Sequence, residues 1–322
     1  MIIKKSSYGW LVCVLLTVHL FSCTNKGDGR MPEIGFLDAF EDATISQARD
    51  GFVAALAKAG YVNDSTVRIK FLNAQGDLAT LVQASQSMVA ANKILIATNS
   101  TQATIAAAKQ TKTIPIVMMV APRPDIAGLQ IDGEKPKNLF GVYEVLNYLD
   151  TSVVVMQRLM PQIKKVGVMC NQAESQSRDA LEVITNACKR QGIELVVLSV
   201  SSSGEAQAVT DALLAKNIDA FFALPDNIIF SAFETISRSC EKASVPIFTS
   251  EAGLVARGAL ASYGANFYQW GYQAGVQAAV YLKTKNTKQL SLQEVANRHF
   301  VINKKQATKF GIELPMGFEV IE

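Results

Sequence analysis

The sequence predicts an α/β fold built of two similar, doubly wound parallel-sheet lobes. Two observations support this prediction. Short apolar runs of strand length alternate with longer amphipathic stretches from about residue 33 to the C-terminus, and this alternation is typical of parallel sheets covered by helices. The pattern of the first half then recurs in the second half. The length of 322 residues suits two lobes that follow a leader segment.

The leader segment has the layout of a bacterial secretion signal. Two lysines precede an apolar stretch at residues 10–21, which is too short to span a bilayer. The stretch ends in Leu-Phe-Ser-Cys, which resembles the lipobox of bacterial lipoproteins; a plain signal peptide with an incidental cysteine is the alternative. We therefore expect residues 1–22 to be a signal peptide, Cys23 to be lipidated and residues 23–31 to be a tether. The protein would then be lipid-anchored to a membrane and extracytoplasmic, in the periplasm or at the cell surface.

Composition argues against several classes of function. The net charge is +3 and falls to +1 once the two lysines of residues 1–22 are removed. The chain therefore lacks the excess of positive charge that is typical of nucleic-acid-binding proteins. Cys170, Cys188 and Cys240 remain after processing, and their odd number and wide spacing predict buried or free thiols. His299 is the single mature histidine, and we interpret it as a strand residue. The chain also lacks GxGxxG, P-loop and HExxH motifs. We expect no enzyme activity, no metal and no cofactor.

Apolar runs predict the strands in order, and the stretches between them predict the helices. In the first lobe the runs are residues 33–37, 67–72, 94–97, 116–120 and 139–142. In the second lobe they are residues 166–170, 195–200, 220–224, 247–249, 259–263 and 300–302.

An internal repeat relates the two series. Ile-Gly-Phe-Leu at 34–37, followed by Ser-Gln-Ala-Arg-Asp at 46–50, recurs as Val-Gly-Val-Met at 166–169, followed by Ser-Gln-Ser-Arg-Asp at 175–179. A Gly-Asp pair then recurs as Gly-Glu, and Ile-Pro-Ile-Val recurs as Val-Pro-Ile-Phe. Three correspondences in one order indicate a duplicated lobe.

Polar residues follow the strands of both lobes, where parallel sheets bind ligands. Facing lobes would bring these residues to a shared cleft. The candidate ligand-binding residues are Asp38, Phe40, Glu41, Asn73, Gln75, Ser100, Thr101, Tyr143, Glu174, Ser175, Ser177, Asp226 and Asn227.

Each candidate role has a structural alternative. Ser100 and Thr101 begin a helix, whose N-terminus suits a carboxylate, although helix capping alone also explains them. Asp226 suits a ligand cation, or caps the next helix. Glu41 and Glu174 are rivals for the cation, or are solvated surface residues. The amide and hydroxyl candidates would add neutral hydrogen bonds, although the first turn of a helix equally explains the serines at 175 and 177. Phe40 and Tyr143 suit apolar contact with a ligand, or belong to the core.

Several of these stretches resemble one known family, the ABC-transporter substrate-binding lipoproteins of periplasmic-binding-protein type I fold. Members of that family include tryptophan and phenylalanine binders. The stretches that carry the resemblance are residues 35–52, 73–77, 171–177, 226–227, 257–261 and 268–271. The chain departs from the family pattern on the rim. Asp42-Ala43 replaces a common His-Pro, Asp38 replaces a common Gln, and Ser100-Thr101-Gln102 replaces Gly-Thr-Pro.

The resemblance implies three chain crossings between the lobes, which we expect near Glu144, Tyr263 and Lys285. The N-terminal lobe would contain residues 32–144 plus 264–285, and the C-terminal lobe residues 145–263 plus 286–322.

The resemblance also implies the function and the partners. We expect a solute-binding protein that delivers a small zwitterion, an amino acid above all, to an ABC transporter permease. A binder of another polar solute such as a sugar is the first alternative, and a ligand sensor that docks on a membrane receptor is the second. An enzyme that uses the carboxylates of Glu41 and Asp226 is a further alternative.

Overall fold

A computed structural model describes residues 31–130 and 134–322, and the bounds below refer to that part of the chain. The first six-stranded sheet and its helices are β1 Glu33–Asp38, α1 Ala43–Lys58, β2 Arg68–Asn73, α2 Leu78–Ala90, β3 Leu95–Asn99, α3 Thr101–Gln110, β4 Ile116–Met119, β5 Leu139–Tyr143, α10 Phe267–Thr284 and β11 Leu292–Glu294. The second, seven-stranded sheet and its helices are α4 Leu149–Leu159, β6 Lys165–Cys170, α5 Ser175–Arg190, β7 Glu194–Ser199, α6 Ala206–Leu214, β8 Ala220–Ala223, α7 Asn227–Ser231, α8 Phe233–Lys242, β9 Ile247–Thr249, α9 Ala252–Ala256, β10 Ala261–Ala265, β12 Arg298–Asn303, α11 Lys304–Lys309 and β13 Glu319–Ile321.

The two sheets have matching strand orders. The first reads β2-β1-β3-β4-β5-β11, and the second reads β7-β6-β8-β9-β10-β12-β13. Every pairing in the first sheet is parallel, and in the second only the β10–β12 pairing among the described residues is antiparallel. The prediction of two similar doubly wound lobes is confirmed.

The central strands are apolar because helices cover both faces of each sheet. All residues of β3, β4, β8 and β9 are buried. The edge strand β7 differs, because it contains only exposed and partly buried residues. The apolar runs were therefore good predictors of the strands that lie in the middle of each sheet.

The chain passes between the sheets after β5, after β10 and after β11. The last passage lies beyond Glu294, later than the expected crossing near Lys285, because β11 adds to the edge of the first sheet beside β5. Its sequence, Leu-Gln-Glu, contains no apolar run that could have predicted a strand. Where the passages adjoin, the Arg298 guanidinium pairs with the Glu144 carboxylate.

Other predictions can be located on the fold. His299 lies in β12, with its Nδ1 atom 3.1 Å from a carboxylate oxygen of Glu319. Cys170, Cys188 and Cys240 are free and buried. No helix in the described ranges is long and apolar enough to cross a bilayer. The predicted signal peptide and Cys23 lie outside the described residues.

Candidate functional site

A cleft of about 390 Å³ lies between the strand ends of the two sheets. Segments that follow β1, β2 and β3 line it from the first lobe, and segments that follow β6, β7 and β8 line it from the second. The lining residues are Phe40, Glu41, Gln75, Gly76, Gln102, Asn171, Glu174, Ser201, Ser202, Ser203, Asn227, Ile228 and Ser231. A cleft of this volume is in the range of small-molecule sites.

A smaller chamber of about 40 Å³ lies beside the cleft, and Asn227 lines both. Its lining is more apolar and includes three aromatic side chains from α7 and α10. The lining residues are Thr101, Val120, Ala121, Pro122, Gln176, Pro225, Asn227, Phe230, Glu251, Phe267 and Trp270. We call this the inner chamber.

The N-terminus of α3 lies at the junction of the cleft and the inner chamber. Gln102 lines the first and Thr101 lines the second. Ser100 caps the helix, with its hydroxyl 3.4 Å from the Ala103 nitrogen, and its backbone has φ of 111°. The first N–H groups of a helix lack intrahelical partners and favour an anion. Capping by Ser100 is therefore compatible with the expected anion site at this terminus.

Glu174 is the buried acid of the cleft. Its oxygens accept hydrogen bonds from the side chains of Gln176 and Asn171 and from the Asn227 backbone nitrogen. Gln102 reaches it from the other lobe at 3.4 Å. Burial, reinforced by the nearby Asp226 carboxylate, raises the pKa of Glu174. Glu41, on the facing rim, is exposed and accepts a hydrogen bond from Asn73 at 2.8 Å.

Asp226 does not line either cavity, and this changes the role expected for it. Its Oδ1 accepts from the backbone nitrogens of Ile228 and Ile229, as a helix cap does. Its Oδ2 accepts from the Asn171 nitrogen at 2.8 Å and from the Ser177 hydroxyl at 2.5 Å. The side chain is fully buried. Because protein donors occupy both oxygens, we assign Asp226 to helix capping. Another acid is then the candidate partner for a ligand cation.

Several other candidates support the rim from behind. Asp38 accepts hydrogen bonds from Asn99 at 2.8 Å and from Arg49 at 3.2 Å. Asn73 and Ser177 hold the carboxylates of Glu41 and Asp226. Tyr143 ends β5, and Ser175 begins α5; neither lines the cleft or the inner chamber. Phe40, Glu41, Gln75, Glu174 and Asn227 do line the cleft, and Thr101 lines the inner chamber.

Sequence reasoning missed the polar end of the inner chamber. Glu251 follows β9 and is 2% exposed. The signal that could have found it is its place after a strand, the same rule that selected the other candidates. Trp270 also lines the chamber, and its indole nitrogen donates to the Val142 carbonyl at 2.9 Å.

The two lobes contact each other directly beside the cleft. The Arg257 guanidinium of the second lobe lies 2.6 Å from Asp42 of the first, and both side chains are largely buried. Arg257 also donates to Glu234 and to the Phe230 carbonyl within its own lobe. Phe230 contacts Phe267 across the lobes, with ring centroids 5.9 Å apart.

Known proteins with similar sequences and structures share this architecture. A curated tyrosine-binding protein of Clostridioides difficile (strain R20291) is 29% identical over 318 residues, covering 94% of this chain and 92% of the relative. The structure of an ABC domain in complex with L-Trp from Streptococcus pneumonia is 26% identical, covers 91% of this chain and 100% of that one, and has a TM-score of 0.82. A ligand-free, open structure of a substrate-binding protein with adhesive properties from Clostridium difficile is 27% identical. The match covers 90% of this chain and 99% of that one, with a TM-score of 0.68.

Residues 33–319 match the family described as ABC transporter substrate binding protein. This match spans both lobes, the cleft and the inner chamber. The chain therefore belongs to the ABC transporter substrate-binding protein family.

Proposed function

We propose that this protein is the extracytoplasmic, lipid-anchored binding component of an ABC importer and that it holds an amino acid, in particular an aromatic one, between its lobes. The observation that carries this proposal is the charge pattern of the interlobe lining. Among the described residues, the cleft and the inner chamber are lined by Glu41, Glu174 and Glu251 and by no lysine or arginine.

This pattern suits a zwitterion better than a simple anion or a neutral solute. The acids favour an ammonium group through charge-assisted hydrogen bonds. The N-terminus of α3 favours a carboxylate without a basic side chain. A ligand that carries both groups would contact both lobes and stabilise the closed arrangement by its differential affinity.

The lobe arrangement supports the same proposal. The chain superposes more closely on the L-Trp complex, with a TM-score of 0.82, than on the ligand-free, open structure, with 0.68, at almost equal identity and coverage. A second relative is a tyrosine-binding protein. Both ligands are aromatic amino acids, and a cleft of about 390 Å³ has room for such a side chain.

A thermal-shift screen tests the proposed ligand class. Residues 24–322 would be purified and heated with each amino acid and with common monosaccharides. A ligand at about 100 times its Kd stabilises the folded state by about 2.7 kcal/mol, which is a clear rise in Tm for one or a few amino acids. If only monosaccharides raise the Tm, the sugar alternative replaces this proposal. If no compound raises the Tm, the proposal is contradicted.

The lipid anchor needs its own test. In cells that process lipoproteins, Cys23→Ala should abolish labelling by a fatty-acid analogue and release the protein from the membrane fraction. A variant that partitions with membranes as the parent does would contradict lipid anchoring at Cys23.

A further inference from the structure

Glu251 is a buried acid of the inner-chamber lining, and one of its carboxylate oxygens has no hydrogen-bond partner among the described residues. Its Oε1 accepts hydrogen bonds from the Tyr148 hydroxyl at 3.0 Å and from the Ser250 hydroxyl at 2.9 Å. Its Oε2 is buried and has no hydrogen-bond partner among the described residues. A buried polar atom without a partner costs about 1–3 kcal/mol, so a ligand group that donates to Oε2 would recover that energy.

The size of the inner chamber limits which group that is. Its volume of about 40 Å³ is close to the roughly 30 Å³ share of one water molecule, whereas a cavity that takes up benzene measures about 150 Å³. An ammonium group fits, and an aromatic ring does not. An aromatic ring of the ligand would therefore lie in the neighbouring cleft.

The chamber walls also favour a cation. Phe230, Phe267 and Trp270 line it, and aromatic faces attract ammonium groups. No lysine or arginine in the described chain forms an ion pair with Glu251. Arg298, whose guanidinium lies over the Tyr148 ring, is already paired with Glu144 and Glu294.

We propose that Glu251, backed by Tyr148 and Ser250, binds the α-ammonium group of the amino acid ligand, and that this contact couples ligand binding to release of one proton. This inference rests on the proposed function. It assigns the cation to Glu251 instead of Glu174, Glu41 or Asp226, and it directs the ligand side chain into the larger cleft.

Proton release follows from the surroundings of the carboxyl group. Burial raises the pKa of Glu251 to about 8, with a further contribution from the Glu144 carboxylate, so the free protein holds this carboxyl protonated at pH 7. An ammonium ion beside it favours the carboxylate and lowers the pKa. Binding at pH 7 then releases about one proton, and affinity rises by up to about tenfold per pH unit below pH 8 and levels off above it. The other polar groups of the chamber lining, Thr101, Gln176 and Asn227, do not titrate in this range, and burial and the Glu251 charge keep the Tyr148 phenol protonated by raising its pKa. Burial also raises the pKa of Glu174, in the adjacent cleft, and of Glu144 to about 7, so variants must separate their protons from that of Glu251.

Two ligand pairs test the ammonium contact. L-tryptophan is compared with indole-3-propionate, and L-tyrosine with 3-(4-hydroxyphenyl)propionate; each second member lacks only the amino group. The parent protein should prefer the amino acid by about thirtyfold or more, the loss expected when a desolvated charge pair loses one partner. Glu251→Gln, which keeps the shape of the side chain, should shrink that preference to about threefold or less.

Calorimetry in buffers of different ionisation enthalpy tests the proton. The parent should release about one proton per amino acid at pH 7, Glu251→Gln should release almost none, and Glu174→Gln should still release it. Proton release that persists in Glu251→Gln and disappears in Glu174→Gln would overturn the assignment. If Glu251→Gln does not fold, measurements on the parent protein alone test the inference. The inference is contradicted if the parent releases no proton on binding, or if it binds both members of each ligand pair with equal affinity.

The two proposals fail in different ways. If neither amino acid nor any other in the thermal-shift screen binds the parent, the proposed function fails and this inference fails with it. If amino acids bind with an affinity that depends on neither Glu251 nor pH, the proposed function stands and only the role of Glu251 is wrong.

Discussion

Acidic side chains at the strand ends differ in what their oxygens contact. Some have both oxygens held by protein donors, and Glu251 has one oxygen without a partner among the described residues. Asp42 follows β1 in the first lobe and Asp226 follows β8 in the second, and each caps a helix through Oδ1. Their second oxygens accept from Arg257 and from Asn171 and Ser177, respectively. Glu251 keeps one buried oxygen free of protein partners in the described chain. Residue type and position alone do not distinguish these cases.

Asp226→Asn should therefore lower stability and leave ligand affinity almost unchanged. The amide can supply one oxygen to the helix cap, but its NH₂ group then faces the N–H of Asn171 and the O–H of Ser177, which lose their acceptor. Leaving buried donors without an acceptor costs about 1–3 kcal/mol. Urea unfolding should show this loss, and calorimetry with L-tryptophan should give a Kd within about threefold of the parent's.

Asp77→Asn is the matched control for this substitution. Asp77 also caps a helix, through the Thr80 nitrogen at 2.7 Å, but it is exposed. Asn caps as well as Asp, so both stability and affinity should stay at the parent's values. A thirtyfold loss of affinity in Asp226→Asn with unchanged stability would restore Asp226 as the ligand's partner.

At the scale of elements, α1 and α10 form the tightest helix pair of the first lobe because glycines lie where they cross. A Cβ atom on Gly271 would overlap the Ala48 carbonyl, and one on Gly51 would overlap the Tyr268 carbonyl. Neither obstacle is a flexible side chain that can move aside. The same α10 begins with Phe267 and Trp270, so the close crossing also fixes the aromatic wall of the inner chamber.

Gly271→Ala should destabilise the protein although alanine favours helices. Helix propensity gains about 1 kcal/mol, but overpacking against a backbone carbonyl costs about 1–3 kcal/mol and sometimes more. Thermal unfolding should show a lower Tm. Gly204→Ala is the control, because its added Cβ would meet only the Ser202 hydroxyl at 3.8 Å. A Gly271→Ala variant as stable as the parent would show that α10 can shift without cost.

At the scale of the whole molecule, the Arg257–Asp42 ion pair joins the lobes beside the cleft. Asp42 caps the N-terminus of α1, and Arg257 follows α9, so one contact joins helices that belong to different sheets. Opening of the cleft would separate them. We therefore expect the ion pair to stabilise the closed arrangement that we propose for the ligand-bound protein.

Arg257→Ala should weaken ligand binding by shifting the lobes toward the open arrangement. A contact present only in the closed state and worth about 1.4 kcal/mol would change affinity about tenfold. Calorimetry with L-tryptophan measures the affinity, and small-angle scattering measures the lobe opening without ligand. Arg190→Ala, which removes an exposed ion pair with Asp150 inside the second lobe, should change neither. Equal affinities for the two variants would contradict a role for Arg257 in closure.

The sequence by itself determined the lobes and the edge of each sheet at which ligands bind. Strands buried on both faces are mostly apolar, so their runs can be seen in the sequence, and the duplicated order of runs shows two lobes. The rule that parallel sheets bind ligands beyond their strand ends then selected Phe40, Glu41, Gln75, Thr101, Glu174 and Asn227, which line the cavities. The edge strand β11 had no such signal, and the last crossing was therefore placed too early.

Only the tertiary structure decided which polar side chains face the cavities and which support them. Asp42 replaces a common family residue, and its partner Arg257 lies more than two hundred positions away. Asp38 pairs with Asn99 and Arg49, which come from another strand and another helix. Hydrogen-bond partners distant in sequence set how many lone pairs each acid keeps free, and burial sets its pKa. Both properties depend on how the elements pack, and for this reason the role of Glu251 could be inferred only from the folded chain.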